Sequence, residues 1–240
     1  MAVIMNTIIG QTNQWTQAEV IKKLCDMKHP AINGIEFRME LFSKDFEEYQ
    51  AEINQYQQAK DDMQWEYYLS IPADFIVDKA INPAFYEGLE LAKLLHCRNV
   101  KMTIGDYQVI KDIEFRRVTK QLDEYQISLT LENDQSTTTG NPDIIREVLE
   151  TLNQQELSVG LTFDTGNWLI AGENIVEAFH TLKDDIKFLH IKNIYENQET
   201  SLFEDGIIDI TKYMGDYPNI IEYAMDYSLW AKQIEIIAES

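Results

Sequence analysis

The sequence predicts a single (β/α)8 barrel, and three observations carry that expectation. Short apolar, β-branched runs alternate with amphipathic helical stretches eight times along 240 residues. The last four runs each close on a metal-ligand type of side chain, Glu132, Asp164, His190 and Glu222. Those four recur at intervals of 32, 26 and 32 residues, the rhythm of a βα repeat. Parallel strands need crossover helices, and right-handed crossovers wind a sheet one way until it closes. A barrel of this type occupies about 250 residues, and no linker or low-complexity stretch divides the chain. Residues 1–240 are therefore expected to form one domain.

Each element has a local reason. The run at 3–9 is apolar but lacks the basic start and cleavage-type site of a leader, so it reads as a strand. The run at 33–41 alternates Glu36, Arg38 and Glu40 with Ile35, Phe37, Met39 and Leu41, the period of a strand with a polar inner face. Tyr68 falls in the run at 64–71, and Lys101 and Thr103 share one face of that at 99–105. Residues 127–132 set Ser128, Thr130 and Glu132 opposite Ile127, Leu129 and Leu131. The run at 159–164 turns Thr162 and Asp164 inward, that at 187–192 turns His190 and Lys192 inward, and 219–224 brings Glu222. Helical patterns lie between them at 15–28, 43–60, 82–97, 110–125, 141–153, 173–183, briefly near 209–214, and at 229–238. Asn82-Pro83 and Asn141-Pro142 pair a capping side chain with a proline whose missing N–H costs nothing at the first helical position. In such barrels active sites lie at the C-terminal ends of the strands. Polar side chains inside a barrel are costly unless they pair, coordinate an ion or bind substrate, so that end of the interior reads as a site.

Composition narrows the partners. The formal net charge is −21, from 41 acidic and 20 basic residues. Such a surface repels polyanions, so neither nucleic acid nor an anionic membrane is expected as a partner. No apolar run approaches the roughly 18 residues of a membrane span, and the chain reads as cytoplasmic. Cys25 and Cys97, far apart and in helical or helix-end contexts, read as reduced, buried thiols.

One carboxylate at a strand end is most often a cap or an ion-pair partner. Four ligand types on consecutive strands are not, and three carboxylates with one imidazole make a hard site for one divalent cation. Such donors accept Mn2+, Mg2+, Co2+ or Zn2+. His29, His96 and His180 fall in a loop, a helix end and a helix, which leaves His190 as the one imidazole candidate. Lys101 and Lys192 read as anchors for an anionic group, or as a desolvated amine for Schiff-base chemistry. Arg38 reads as a clamp on a substrate oxyanion, or as the centre of an ion network with Glu36 and Glu40. Tyr68 and Trp168 read as pocket walls, with core packing the plainer alternative. The segment 193–208, carrying Tyr195, Glu196, Phe203 and Asp205, exceeds the usual βα loop and reads as a lid or as a solvated acidic loop.

Leu-Glu-Asn-Asp-Gln at 131–135, Phe-Asp-Thr-Gly-Asn at 163–167, Leu-His-Ile-Lys-Asn at 189–193, Asp-Gly-Ile-Ile-Asp at 205–209 and Ile-Glu-Tyr at 221–223 resemble the xylose-isomerase-like TIM-barrel superfamily. Gly-Ile-Glu-Phe-Arg at 34–38 extends the resemblance to the N-terminal part, so it covers essentially the whole chain. That superfamily includes sugar and sugar-phosphate isomerases and epimerases, hydroxypyruvate isomerase, inosose dehydratase and AP endonucleases.

The resemblance implies that Glu132, Asp164, His190 and Glu222 bind one divalent ion, usually Mn2+, Mg2+ or Co2+. It implies that Glu132 and Glu222 also form the acid/base pair, moving a proton beside a substrate carbonyl through an enediolate. The implied partner is a small carbohydrate, and the implied assembly a homodimer or homotetramer. Two positions depart from the ketose 3-epimerases: Asn167 stands where they carry a histidine, and Glu196 where they carry an arginine. The expected activity is a sugar, sugar-phosphate or sugar-acid isomerase or epimerase, in which Arg38, Lys101 and Lys192 favour a smaller or more anionic substrate, such as a sugar acid or sugar phosphate, over the ketose 3-epimerase subtype, and Asn167 also borders the substrate. The AP endonuclease branch binds three zinc ions through many histidines, which one usable histidine and an acidic surface do not match. A metal-dependent dehydratase or lyase on the same site is the alternative activity, and a sugar-acid-binding protein without turnover is the alternative of a different class.

Overall fold

In the computed structural model, which describes residues 3–240, eight parallel strands close into a barrel. They are β1 (Val3–Asn6), β2 (Ile32–Arg38), β3 (Glu66–Val77), β4 (Cys97–Gly105), β5 (Ser128–Glu132), β6 (Val159–Asp164), β7 (Ile186–Ile191) and β8 (Asn219–Ile221). Each pairs in parallel with its sequence neighbours, and β8 pairs with β1, with Ile220 beside Ile4, to complete the ring. The helices are α1 (Gln17–Met27), α2 (Phe46–Met63), α3 (Pro83–Leu94), α4 (Arg116–Tyr125), α5 (Pro142–Gln154), α6 (Thr165–Ile170), α7 (Ile175–Leu182) and α8 (Trp230–Glu239). As the sequence predicts, Asn82 and Asn141 cap α3 and α5, accepting from the N–H groups of Ala84 and of Asp143 and Ile144. Thr16 and Glu19 close a reciprocal capping box at α1.

Strand pleating sorts the side chains into two cores. Val3, Met5, Ile35, Phe37, Leu129, Leu131, Leu161, Phe163, Leu189 and Ile191 turn outward into one continuous apolar layer against the helices. Inside, Ile4, Tyr68, Phe188 and Ile220 form a separate small apolar cluster. Beside it the barrel interior is polar, and several of its side chains hydrogen-bond in rungs. Ser128 donates to Asn99, Asn99 to Thr130 (2.9 Å), and Thr162 to Thr130 (2.8 Å).

Several elements differ from expectation. β1 stops at Asn6, whose side chain accepts from Ile8 N–H and starts a 3-10 turn over Thr7–Asn13. β3 runs six residues past the expected end and folds back on Ala80–Ile81 through Asp78 and Lys79, both at positive φ (51° and 63°). Two left-handed residues give a turn whose twist suits a tight hairpin. The helix expected from residue 110 is 3-10 over Tyr107–Asp112 and becomes α only at Arg116. β6 is followed by two helices, and after β7 only the 3-10 turn Ile210–Lys212 stands where a helix belongs. The 193–208 segment is hydrogen-bonded within itself and to α8. Asn193–Ile194 pairs antiparallel with Thr200–Ser201, buried Asn193 donates to the carbonyls of Phe203 and Ile208, and Phe203 N–H donates to Gln233 of α8. Cys25 and Cys97 are both free, but only Cys97 is buried; Cys25 is half-buried.

Gly105 ends β4 at φ +80°, with an added Cβ falling 2.2 Å from the Ile76 carbonyl oxygen on β3. Gly105→Ala is expected to destabilise by about 2 kcal/mol, a fall of roughly 4–8 °C in Tm for a chain of this length. An unchanged melting temperature would show that the β3–β4 contact is not tight.

Candidate metal centre

Glu132 ends β5, Asp164 ends β6, His190 lies one residue short of the end of β7, and Glu222 follows β8. Barrel closure brings these ends to one mouth, where one ligand atom from each residue lies within 4.8 Å of all the others. That is little more than the roughly 4.2 Å across an ion with bonds near 2.1 Å.

His190 organises the cluster. Its ring is fully buried, with Nδ1 at 2.7 Å from Glu132 Oε1 and 3.1 Å from Glu222 Oε2. Its Nε2 faces both oxygens of Glu36, at 3.2 and 3.1 Å. Burial alone lowers a histidine pKa, but Glu36, Glu222 and Glu132 outweigh it and raise that of His190 well above the ordinary value. Each catalytic candidate is split between two partners. Glu132 has its other oxygen 2.6 Å from Lys101 Nζ, and Glu222 has its other oxygen 3.3 Å from Arg38 Nη1. Burial raises both glutamate pKa values, yet Lys101 and His190 bring Glu132 below the ordinary range, and His190 and Lys101 bring Glu222 well below it.

Asp164 is the exception. Its Oδ1 accepts from Asn167 N–H at 2.8 Å, while Oδ2 is buried without a hydrogen bond and lies 3.6 Å from Lys192 Nζ. Burial is the main cause pushing its pKa up to about 7, with Glu222 and Glu132 adding to it against Lys192. Asn133 clamps the Asp164 backbone from both sides, accepting its N–H at 2.8 Å and donating to its carbonyl at 3.0 Å.

The donor set fits a hard divalent cation. Glu132 Oε1 and Asp164 Oδ2 are buried oxygens without an aligned hydrogen-bond donor. Two carboxylates converge on one ring nitrogen that has a single proton or lone pair to offer, so at least one needs another cation. Oxygen-rich ligation with one imidazole suits Mn2+, Mg2+, Co2+ or Zn2+.

Above the cluster opens a cleft of ≈440 Å³, lined by Arg38, Lys101, Glu132, Asn167, Lys192 and Glu222, with Ser70–Asp74 of β3 and Thr103 of β4 on one flank. Arg38 also pairs with Glu40 at 2.6 Å. Asn167 donates to the Asn133 carbonyl, and its Oδ1 accepts from Lys192 and Gln135. Three expectations are corrected. Tyr68 does face inward, but it belongs to the cluster with Ile4, Phe188 and Ile220 and donates to Glu66 at the start of β3, away from the mouth. Trp168 is fully buried against Phe163 in the outer core, because α6 starts directly at Asp164 and turns Asn167 to the cleft and the next residue to its back. Glu40 is exposed on the turn after β2 rather than inward, since the strand ends at Arg38.

The sequence offers Glu36 only as a neighbour of Arg38, and it does not single out Asn133 or Asp74 as site residues. Glu36 left a signal, its place on the polar face of β2. Asn133 and Asp74 left none, because their positions depend on contacts with Asp164 and Thr103 from other strands.

Asp164 binds its proton more tightly folded than unfolded, so between its ordinary value of 3.8 and about 7 the folded state holds the extra proton. Its contribution to stability is therefore lost as pH rises through that window, and the raised His190 adds the same sign above it. The metal-free protein is expected to lose Tm between about pH 4 and pH 7, and Asp164→Asn to flatten that loss. Parallel profiles for the two proteins would refute the assignment.

No protein-family model matches the sequence, and no curated protein does. Solved structures match over the whole chain at low identity. The probable 3-DHS dehydratase AsbF from Bacillus anthracis aligns with a TM-score of 0.75 at 14% identity, over 99% of this chain and 98% of that one. The 3-keto-D-glucoside 4-epimerase YcjR from E. coli gives 0.68 at 12%, over 100% of both chains. The IolI protein, determined with a zinc atom, gives 0.68 at 16%, over 100% of this chain and 95% of that one. With a closed ring of eight parallel strands, this chain has the fold of a (β/α)8 barrel, and the solved structures it resembles include a xylose isomerase domain containing protein from Salmonella typhimurium and an AP endonuclease of family 2 from Brucella melitensis.

Proposed function

We propose that the chain is a divalent-metal-dependent isomerase or epimerase acting on a small sugar acid or sugar phosphate, with Glu132 and Glu222 as its acid/base pair. One observation carries this reading: each glutamate has one oxygen on a cation and the other turned to His190 Nδ1. The cations hold both groups ionised at neutral pH, ready to accept a proton, and fix them on two sides of one point. Asp164, His190 and the two glutamates would hold the ion, which when bound supplies positive charge where the substrate oxygen becomes anionic.

Lys192 supports an anionic substrate: it borders the cleft with its Nζ 3.6 Å from Asp164 Oδ2, the loosest of the cation–carboxylate pairs at the mouth, and an ion held by Asp164 would leave that ammonium to a carboxylate or phosphate. Arg38 and Lys192 border the cleft and orient that group, with Asn167 between Lys192 and the Asp164 loop. Schiff-base chemistry is disfavoured. Burial lowers the Lys101 pKa, but Glu132, Glu222 and Glu36 more than reverse it, and Asp164 raises that of Lys192, so both amines stay protonated.

Dehydration is the second reading, favoured by the Lys101 ammonium 2.6 Å from Glu132, an acid beside the base that can protonate a departing hydroxyl. Cytoplasmic location fits two free cysteines, and no helix among the described residues is long and apolar enough to cross a membrane. A homodimer or homotetramer is the assembly we propose, and the acidic composition argues against nucleic acid.

Two measurements test the proposal. Titrating EDTA-stripped protein with Mn2+, Co2+, Mg2+ or Zn2+ is expected to raise Tm saturably, and His190→Ala to abolish that rise; no shift with any ion refutes metal dependence. Metal-free His190→Ala should itself lose about 3 kcal/mol, because carboxylates on both ring nitrogens are left without their partner. Sugar acids or phosphates incubated in D2O are expected to exchange one C–H, with the rate lowered at least about 100-fold in Glu132→Gln. Exchange on neutral ketoses at equal rate would remove the anionic-substrate claim, loss of water would establish the dehydratase, and binding without exchange would make the chain a binding protein.

A further inference from the structure

One buried charge at the mouth has no part in the set of four ligands. Glu36 on β2 is 2% exposed, and both its oxygens approach His190 Nε2, at 3.2 and 3.1 Å. Its Oε2 also accepts from Asn6 Nδ2 at 2.5 Å. Asn6 is itself fully buried, and its Oδ1 accepts from Ile8 N–H at 2.9 Å, so the amide that holds Glu36 is fixed by the end of β1.

Glu36 and Asn6 together hold the Nε2 side of the imidazole. A neutral imidazole carries one N–H and one lone pair. Both ring nitrogens face carboxylates, so an ion held by Glu132 and Glu222 decides between them: it takes the Nδ1 lone pair, and the remaining N–H then lies on Nε2, where Glu36 accepts it. Nδ1 is the nitrogen that faces Glu132 and Glu222 at 2.7 and 3.1 Å. Glu36 contacts the other ring nitrogen and is not one of the four residues whose ligand atoms converge.

We propose that Glu36 is the positioning residue of the metal centre: held by Asn6, it fixes the Nε2–H tautomer of His190 and makes Nδ1 the ligand atom. The proposal rests on the divalent-metal reading above. A carboxylate behind a ligating histidine fixes the ring and raises the basicity of the ligand nitrogen, and loss of such a partner weakens metal affinity roughly 10–100-fold. Glutamine keeps the volume but brings an amide N–H2 that can donate to Nε2, which moves the histidine proton to Nδ1 and blocks it.

The test is Co2+ binding to stripped wild type, Glu36→Gln, Glu36→Asp and His190→Ala, read by calorimetry and by the visible absorption of the bound ion. Glu36→Gln is expected to bind roughly 10–100-fold more weakly, with a shifted absorption band, and Glu36→Asp to fall between it and wild type. A purely structural role would lower the metal-free melting temperature and leave affinity and band unmoved. Wild-type affinity and an unshifted band in Glu36→Gln, with binding lost in His190→Ala, would overturn the role of Glu36 alone. Should Glu36→Gln not fold, the same result in Glu36→Asp overturns it. Wild-type binding by His190→Ala would instead overturn the metal reading on which the proposal stands.

Discussion

A histidine buried among carboxylates of three glutamates is costly in any fold, and the upper half of this barrel is arranged around containing that cost. An unpaired ion in a dry interior is several kilocalories per mole out of balance, so every charged group there has found a counter-charge. Lys101 answers Glu132, Arg38 answers Glu222, and Lys192 stands nearest Asp164. Asp164 keeps its own solution, a carboxyl whose pKa sits near neutrality because its second oxygen has no aligned donor. Such a cluster holds together only if the strand ends cannot drift, and eight paired strands supply that rigidity.

The interior divides the labour along the barrel axis. The cluster of Ile4, Tyr68, Phe188 and Ile220 fills one level, and the threonine and asparagine rungs satisfy one another without using a charge. The ionisable groups are thereby confined to the end where loops can reach a ligand. Those loops are not uniform. The long arm of β3 walls one flank, while the segment after β7 is pinned to α8 through Phe203 and Gln233.

The structural neighbours include a probable dehydratase and an epimerase at 12–14% identity, which is agreement in fold and not in reaction. That pattern suits a barrel whose strand ends set where chemistry happens and whose loops decide what is done. In this chain Asn167, Lys192, Arg38 and Asp74 line the cleft above the strand ends.

What the sequence determined by itself was whatever follows from short-range periodicity. Alternation by two placed Glu132, Asp164 and His190 inward, and Asn-Pro pairs marked the starts of α3 and α5, because these properties depend on a few neighbouring residues. Spacing by whole βα units then brought Glu222 to the same mouth. Tertiary structure decided the rest, since it depends on partners far along the chain. Trp168 turned to the outer core because Asp164 itself begins α6, and Tyr68 joined three side chains from β1, β7 and β8. Glu36 became a partner of His190 across 154 residues, held by an asparagine 30 residues before it. No local pattern encodes a distance of that kind; only closing the sheet puts β2 beside β1 and across from β7.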